Sequence, residues 1–332
     1  MIKIATEKID NWVYVTGVPR SGTTFVGKVL SMPLEVDYIH EPFNPQCGIV
    51  GLDRWYPYVR TTIDTEEMQS FHEIAKSLFS YDFKFKKHIP PKDPWQRKLI
   101  KALVGGRGEF YLRLAKPNPF HRAAVIKDPI GNLLTEYLYH NFQVKPVIIV
   151  KHPLSFIASL KRVKWWIQTS WITENQPHLV EDYFSDELDF IDREYDTLVE
   201  GSAAYWRATY KVLLEQASKY PDWQVITIEE LSNDPLNIFQ QLYSHLDLPW
   251  SDSVERKIIK LTRNSNNSTN ARGGKVQDFN RNSKDIFAMR RKSLSGNERL
   301  AIFNIVRDVA LKVYSESSFA LNEASISETS KL

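Results

Sequence analysis

Residues 17–24 read GVPRSGTT and decide the fold of this chain. The preceding residues 12–16 alternate and are partly β-branched, which predicts a strand, and the apolar residues after the loop recur at helical spacing: Phe25, Val26, Val29 and Leu30. A glycine-containing turn between a strand and a helix points free backbone N–H groups and the positive end of the helix dipole at one place. The stretch therefore predicts an anion-binding site.

The loop has the spacing of a phosphate-binding P-loop, G-x-x-x-x-G-x-[ST]. It departs from the ATP-binding form at Thr23, which stands where a lysine is expected, while Arg20 supplies the nearby positive charge. In ATP-binding loops that lysine reaches the β- and γ-phosphates. Its replacement indicates a phosphate-bearing ligand that is not a triphosphate.

The composition is that of a soluble globular protein. Hydrophobic residues make up 42% and charged residues 25% of the 332 residues, and no compositional break marks a linker, so we expect one domain over residues 1–332. The formal net charge of +3 does not suggest a protein that binds nucleic acid. Cys47 is the only cysteine, which excludes an intramolecular disulfide and fits a reducing compartment.

Targeting features favour a cytoplasmic protein. The N-terminus has no apolar signal segment, and no stretch of the chain is apolar enough for a transmembrane anchor. The sequence ends in Ser330-Lys331-Leu332, a peroxisomal signal only in a eukaryotic host, which we interpret as coincidental.

Alternating strand and helix patterns predict an α/β protein with a P-loop-type three-layer fold, in which helices flank a mostly parallel central sheet. The predicted strands are residues 12–16, 36–39, 123–126, 146–150 and 223–228. Residues 44–120 are predicted to be irregular apart from a helix near 65–79, and residues 263–294 to form a polar loop. A Ser-x-x-Glu capping box at Ser295 predicts the start of the last helix.

Lys151 follows the apolar strand 146–150, at the place where a P-loop hydrolase would carry a magnesium-binding aspartate. A cation at a strand end, with a hydroxyl on the next helix at Ser159, predicts a second phosphate site that needs no metal. Ser155 is the alternative hydroxyl. The structural alternative is a lysine that only extends to solvent from the strand end.

The loop at residues 17–24 resembles that of the sulfotransferases, whose P-R/K-S-G-T-T segment holds the 5′-phosphosulfate of PAPS (3′-phosphoadenosine 5′-phosphosulfate). The form found here is similar to that of tyrosylprotein and carbohydrate sulfotransferases. Lys151 and Ser159 are similar to the 3′-phosphate motif of the family, an arginine followed eight residues later by a serine. Lysine keeps the charge but loses the bidentate guanidinium. The resemblance implies PAPS as co-substrate, PAP as product and no metal.

The resemblance also implies which residues bind PAPS. They are Pro19, Arg20, Ser21, Gly22, Thr23, Thr24 and Phe25 at the loop, Lys151 and Ser159 at the second site, and Arg272, Gly273, Gly274 and Lys275 in the polar loop. The last four are similar to a segment that closes over the 3′-phosphate, and a basic loop without a ligand is the alternative. Phe25 takes the place of an aromatic residue near the adenine, although packing within its own helix explains it equally well.

Two further segments carry the expected catalytic residues. Lys127, in the stretch IKDP, resembles the lysine of the K-D-P segment in tyrosylprotein sulfotransferases, and with Arg20 it would stabilise the negative charge of the phosphosulfate and the leaving phosphate. Glu41 with Pro42 resembles the Glu-Pro of carbohydrate sulfotransferases and would accept the proton of the acceptor, with His40 as the second choice. The structural alternatives are an exposed salt bridge for Lys127 and a Glu41–Arg20 pair.

Together these features imply the transfer of a sulfuryl group from PAPS to a hydroxyl or amine of a small-molecule, carbohydrate or lipid acceptor. Residues 44–120 and 164–195 lie outside the resemblance and are rich in aromatic residues, so we expect them to form the acceptor site or a lid over it. Two alternatives stay open. One is a P-loop nucleotide or small-molecule kinase, which Thr23 and Lys151 disfavour, and the other is a nucleotide-binding protein without catalytic activity.

Overall fold

One sheet of parallel strands organises the protein, in a computed structural model that describes residues 9–90, 94–263 and 293–321. Its five strands are β1 (Asn11–Thr16), β2 (Val36–His40), β3 (Ala123–Lys127), β4 (Lys145–Val150) and β5 (Gln224–Thr227). Their order across the sheet is β2-β3-β1-β4-β5, and every neighbouring pair is parallel. This confirms the predicted α/β fold with a parallel central sheet.

The strand order places the functional segments at one edge of the sheet. The chain passes from β1 over β3 to β2, and β4 continues on the other side of β1, so the direction of winding changes at β1. The register aligns His40 with Lys127, and Val15 with Lys127 on the other side of β3. In open parallel sheets, ligands bind beyond the carboxyl ends of the strands at such a switch point.

Helices cover both faces of the sheet, because alternate residues of each buried strand face opposite layers. Val13 and Val15 of β1 pack with one layer, whereas Trp12 and Tyr14 face the other. The helices of the described residues are α1 (Thr23–Leu30), α2 (Glu66–Phe79), α3 (Trp95–Val104), α4 (Arg107–Ala115), α5 (Thr135–Phe142), α6 (Pro153–Val163), α7 (Ser170–Thr173), α8 (Pro177–Tyr183), α9 (Leu188–Ile191), α10 (Leu198–Lys219), α11 (Ile228–Asn233), α12 (Pro235–His245), α13 (Asp252–Arg263) and α14 (Gly296–Ala310).

The predicted strands agree with the structure to within one residue at each end, and the larger differences lie in the segment after β2. Helix α2 is confirmed, but α3 and α4 were predicted to be irregular, because their segment is rich in proline, glycine and lysine. The strand predicted to reach residue 228 ends at Thr227, because this residue caps α11 in a capping box with Glu230. The capping box at Ser295 is confirmed.

Most of the predicted polar loop, residues 264–292, and the C-terminal tripeptide lie outside the described residues. Among the helices that the structure does describe, none combines the length and hydropathy that crossing a membrane requires.

Candidate active site

The loop between β1 and α1 takes the tight path that its glycines allow. Gly17 has a φ of 142°, and a Cβ atom at this position would lie 2.3 Å from the carbonyl oxygen of Ile149. Gly22, with a φ of 109°, forms the N-cap of α1. A side chain at Gly17 would therefore clash with the backbone of β4, whereas glycine lets the loop lie directly over the end of the sheet.

The start of α1 presents unpaired backbone donors. The N–H groups of Gly22, Thr23 and Thr24 donate no hydrogen bond to any acceptor in the described residues. The first N–H groups of a helix have no partner within the helix and carry the positive end of its dipole. The geometry thus fits the predicted binding of a phosphate or phosphosulfate group at this loop.

Lys151 lies beneath this loop and supports it. Its Nζ atom donates to the carbonyl oxygen of Arg20 at 2.9 Å, and the Lys151 carbonyl accepts a hydrogen bond from Trp206 Nε1 at 2.8 Å. The Tyr210 hydroxyl donates to the Ile149 carbonyl at 2.7 Å and lies 3.4 Å from the Val18 nitrogen. Helix α10 therefore holds both the loop and the end of β4, a contribution that the sequence analysis missed.

The two candidate hydroxyls on α6 differ in their bonding. Ser159 is 1% exposed and donates to the carbonyl of Phe156 in its own helix at 2.7 Å. The Ser155 hydroxyl, one turn closer to Lys151 along the chain, is buried and has no hydrogen-bond partner in the described residues. Of these two, Ser155 has the hydroxyl that is available to a ligand.

An acidic side chain also lies near Lys151. Glu229, at the start of α11, accepts hydrogen bonds from the His152 N–H at 3.3 Å and from the Tyr314 hydroxyl at 2.9 Å. Burial raises the pKa of Glu229, although the Tyr314 hydroxyl and the Lys151 ammonium act in the opposite direction. A raised pKa reduces the negative charge beside a site that we expect to bind phosphate.

Lys127, which is buried, and Glu41, which is half-buried, form an ion pair at the ends of β3 and β2. Lys127 Nζ lies 2.5 Å from Glu41 Oε1, and the side chains are 2% and 20% exposed. The Glu41 N–H donates to the Lys127 carbonyl at 2.8 Å, and Asn44 Nδ2 donates to Glu41 Oε2 at 3.1 Å. The Glu41 backbone has a φ of 50°, an uncommon value for a residue with a side chain. The partner of Glu41 is thus Lys127 rather than Arg20, and Lys127 is buried rather than exposed.

The ion pair sets the protonation of Glu41, whereas burial sets that of His40. Burial alone raises the pKa of Glu41, but the Lys127 ammonium, His40 and the hydrogen bonds from Lys127 and Asn44 lower it, with a net value of about 2. Burial lowers the pKa of His40 to about 3, opposed by Glu41 and reinforced by Lys127. His40 Nε2 lies 3.7 Å from Glu41 Oε1. At neutral pH Glu41 is therefore a carboxylate and His40 is a neutral imidazole.

Asp128 fixes the two loops that carry this pair. Its carboxylate accepts hydrogen bonds from the backbone N–H groups of Phe43 at 2.6 Å, Ile130 at 2.8 Å and Gly131 at 3.0 Å. The residue is fully buried, and burial raises its pKa to about 7. The loop that follows β2 is thereby held against the loop that follows β3, a role that the sequence analysis did not assign.

A cavity of about 1090 Å³ lies between residues of the two segments that the sequence analysis left for the acceptor. Its aromatic lining comes from Trp55, Tyr58, Phe71 and Trp171, and its carboxylates from Asp53, Glu67 and Glu174. Two hydrogen bonds link a residue of the cavity lining to the Lys127–Glu41 ion pair. Gln46 lines it and donates its N–H to Asn44 Oδ1 at 3.0 Å, and Asn44 in turn binds Glu41.

The remaining predicted residues are distributed as follows. Phe25 is half-buried, with its ring 5.8 Å from that of Phe239 in an edge-to-face contact. Ser21 is buried within the loop, and residues 272–275 lie outside the described residues. The strand order thus places the loop at residues 17–24, Lys151, Lys127, His40 and Glu41 at one edge of the sheet.

Comparisons with known proteins give distant structural similarity. The sequence matches no protein-family model and no curated protein. Mouse sulfotransferase SULT7A1 complexed with PAP aligns with a TM-score of 0.42 at 13% identity, over 97% of this chain and 94% of that one.

The sulfotransferase domain from the curacin biosynthetic pathway aligns with a TM-score of 0.41 at 15% identity, over 74% of this chain and 76% of that one. Sulfotransferase STF9 from Mycobacterium avium aligns with a TM-score of 0.40 at 13% identity, over 86% of this chain and 77% of that one. Similarity at this level does not carry a function from one protein to another, so the function is inferred from the residues of this chain.

Proposed function

We propose that the protein is a sulfotransferase that moves a sulfuryl group from PAPS to a hydroxyl or amine of an acceptor. The observation that carries this proposal is the contact between Lys127 and Glu41, 2.5 Å apart, at the end of the strand next to β1, whose loop at residues 17–24 lacks the lysine of ATP-binding loops. Sulfuryl transfer needs a cation at the leaving phosphate and a base at the acceptor, and the pair supplies both.

The phosphates of PAPS are assigned to two groups of residues. The N–H groups of residues 22–24 and the side chain of Arg20 would hold the 5′-phosphosulfate. Lys151, with the Ser155 or Ser159 hydroxyl, would hold the 3′-phosphate. Lys151 already donates a hydrogen bond to the Arg20 carbonyl. A 3′-phosphate bound to Lys151 would therefore also affect the loop that holds the 5′-phosphosulfate.

In the reaction, the acceptor oxygen or nitrogen attacks the sulfur atom and forms the new bond. The bond between sulfur and the bridging oxygen breaks, and its electron pair remains on the 5′-phosphate of PAP. Lys127 stabilises that growing negative charge, and Glu41 accepts the proton that the acceptor loses. No metal is needed in this scheme, because Lys127, Arg20 and the loop N–H groups provide the positive charge.

The ion pair makes the strength of the base depend on the co-substrate. With Lys127 in contact, Glu41 has a pKa of about 2 and is a weak base. A phosphosulfate beside Lys127 would share the ammonium charge and add negative charge near Glu41, and both effects raise the pKa of the carboxyl. Glu41 would thus become an effective base only after PAPS binds, which limits the proton transfer to the complete complex.

The acceptor is assigned to the cavity between residues 46–74 and 171–179. Its aromatic rings suit the faces of a sugar, a phenol or an apolar chain. Asp53 and Glu67 are paired with Lys86 and Arg54, whereas the Glu174 side chain forms no hydrogen bond or ion pair within the described residues. Glu174 is therefore available to bind a hydroxyl or amine of the acceptor.

The decisive experiment is sulfuryl transfer from PAPS labelled with ³⁵S to a panel of phenols, sugars, amines and hydroxylated lipids. We expect labelled product from at least one class, and the same rate with EDTA as with magnesium. Phosphoryl transfer from ATP that requires magnesium would support the kinase alternative. Tight PAP binding without transfer to any acceptor would support a nucleotide-binding protein without catalytic activity.

A further inference from the structure

Exposed apolar side chains are concentrated in one short stretch of the chain. Of the sixteen large hydrophobic residues that are exposed in the described part of the chain, seven lie between residues 95 and 120. On α3, Trp95, Leu99 and Leu103 are 70%, 53% and 69% exposed. Residues four apart lie on one face of a helix, so these three side chains form a single apolar stripe directed to solvent.

The apolar surface continues beyond α3. Gly105 and Gly106 connect it to α4, where Phe110 and Leu114 are 41% and 57% exposed and again four residues apart. The opposite side of α4 is the one that packs on the protein, through buried Leu112 and Ala115. A helix that needed only to fold onto the sheet would not expose a second apolar side.

The same stretch carries a strong positive charge. Residues 84–122 contain eleven Lys and Arg against two Asp and Glu, a net charge of +9 in a chain whose total is +3. Lys98 lies three residues after Trp95 and therefore beside it on α3, and Arg107 and Arg113 are exposed on α4. Apolar and basic side chains thus share one surface.

We propose that α3 and α4 bind the surface of an anionic lipid bilayer. A helix with an exposed stripe of Trp and Leu, flanked by Lys and Arg, has the features of helices that lie in the plane of the membrane interface. The apolar stripe would enter the headgroup region, with the indole of Trp95 at the boundary. Lys98, Arg107 and Arg113 would contact anionic headgroups. A nucleic acid or another polyanion would use the charge but leave the stripe in water. This inference is independent of the sulfotransferase proposal.

Sedimentation with vesicles tests the inference, using the full chain and two lipid compositions, phosphatidylcholine alone and with about 30% phosphatidylserine. The wild-type protein should bind the anionic vesicles, with binding that weakens as salt is added, and should bind neutral vesicles much less. The double variant Leu99→Glu, Leu103→Glu should lose about tenfold or more of this binding, because carboxylates cannot enter an anionic interface.

Leu300→Glu is the matched control, since Leu300 is 48% exposed on α14, in a different part of the chain. It should bind vesicles as the wild type does, and both variants should keep the wild-type melting temperature. Equal binding of the double variant and the wild type would overturn the proposal. Equal binding of the wild type to both kinds of vesicle would also overturn it. So would a wild type that binds neither kind, and this result would favour a protein partner for the apolar stripe.

Discussion

Lys127 and Glu41, 86 residues apart in sequence, are joined twice: the side chains form an ion pair at 2.5 Å, and the Glu41 N–H donates to the Lys127 carbonyl. The backbone bond fixes where the carboxylate lies relative to the end of β3. The ammonium fixes its charge. Loss of the Lys127 ammonium therefore alters the protonation of Glu41.

Glu41→Gln keeps the shape of the side chain but removes its capacity to accept a proton. We expect sulfuryl transfer to fall by about 10²–10⁴-fold, the usual effect of removing a general base. PAP should bind as tightly as before or more tightly, because Lys127 no longer shares its charge with a carboxylate. Steady-state kinetics and calorimetry measure the two effects. If Glu41→Gln stays active while His40→Ala is inactive, His40 is the base.

Lys127→Met should change the stability of the protein in acid. In the wild type the pKa of Glu41 is about 2, below the value of about 4.3 for an unfolded chain, so the unfolded state binds more protons between these values. The contribution is fully present above about pH 4.3 and is lost as the pH falls through about 2. The variant removes the charge that lowers the pKa, so this part of the pH dependence should disappear.

Urea unfolding at a series of pH values measures this difference. Lys161→Met is the matched control, because Lys161 forms a 2.5 Å pair with Glu298 but is 46% exposed. Exposed ion pairs contribute little to the free energy of unfolding, so the pH dependence of stability should be nearly the same in this variant as in the wild type. An acid profile of Lys127→Met that is parallel to the wild type would contradict the role given to the ion pair.

PAP should stabilise the protein more than ADP, because we propose that Lys151 binds the 3′-phosphate, which ADP lacks. At a hundred times its dissociation constant a ligand adds about 2.7 kcal/mol to the free energy of unfolding, enough to raise the melting temperature by a few degrees. Lys151→Ala should remove much of the difference between the two ligands. Lys145→Ala, at the opposite end of β4 and paired with exposed Asp247, should preserve it. Equal shifts for PAP and ADP in the wild type would disprove the second phosphate site.

Asp128→Asn should destabilise the fold although the two side chains are nearly isosteric. The Asp128 carboxylate accepts three backbone N–H groups, and an amide would turn an NH₂ donor toward at least one of them. An unsatisfied buried donor costs about 1–3 kcal/mol, which denaturant unfolding can resolve. Asp247→Asn, at an exposed position, should cost far less. A variant as stable as the wild type would show that the two loops are held by other contacts.

The sequence by itself determined the elements whose signals are local. The β1-loop-α1 unit, strands β2 and β3 and the capping box at Ser295 depend on residues a few positions apart, and the structure has them within one residue of the predicted positions. Helices α3 and α4 were missed because the prolines, glycines and lysines of this segment favour irregular structure, although Trp95, Leu99 and Leu103 recur at the four-residue spacing of a helix.

Only the tertiary structure decided which of these residues meet. Parallel strands place their carboxyl ends at one edge, but the order β2-β3-β1 alone brings Glu41 to Lys127 and not to Arg20. Lys151 reaches the Arg20 carbonyl, 131 residues away in sequence, because β4 lies next to β1. Contacts between residues so far apart in sequence depend on the order in which the strands assemble. That order is determined mainly by burial of the apolar strand residues, and the polar residues at the strand ends contribute little to it. Hence residue types and spacing predicted the candidate site residues, whereas strand order determined their pairing.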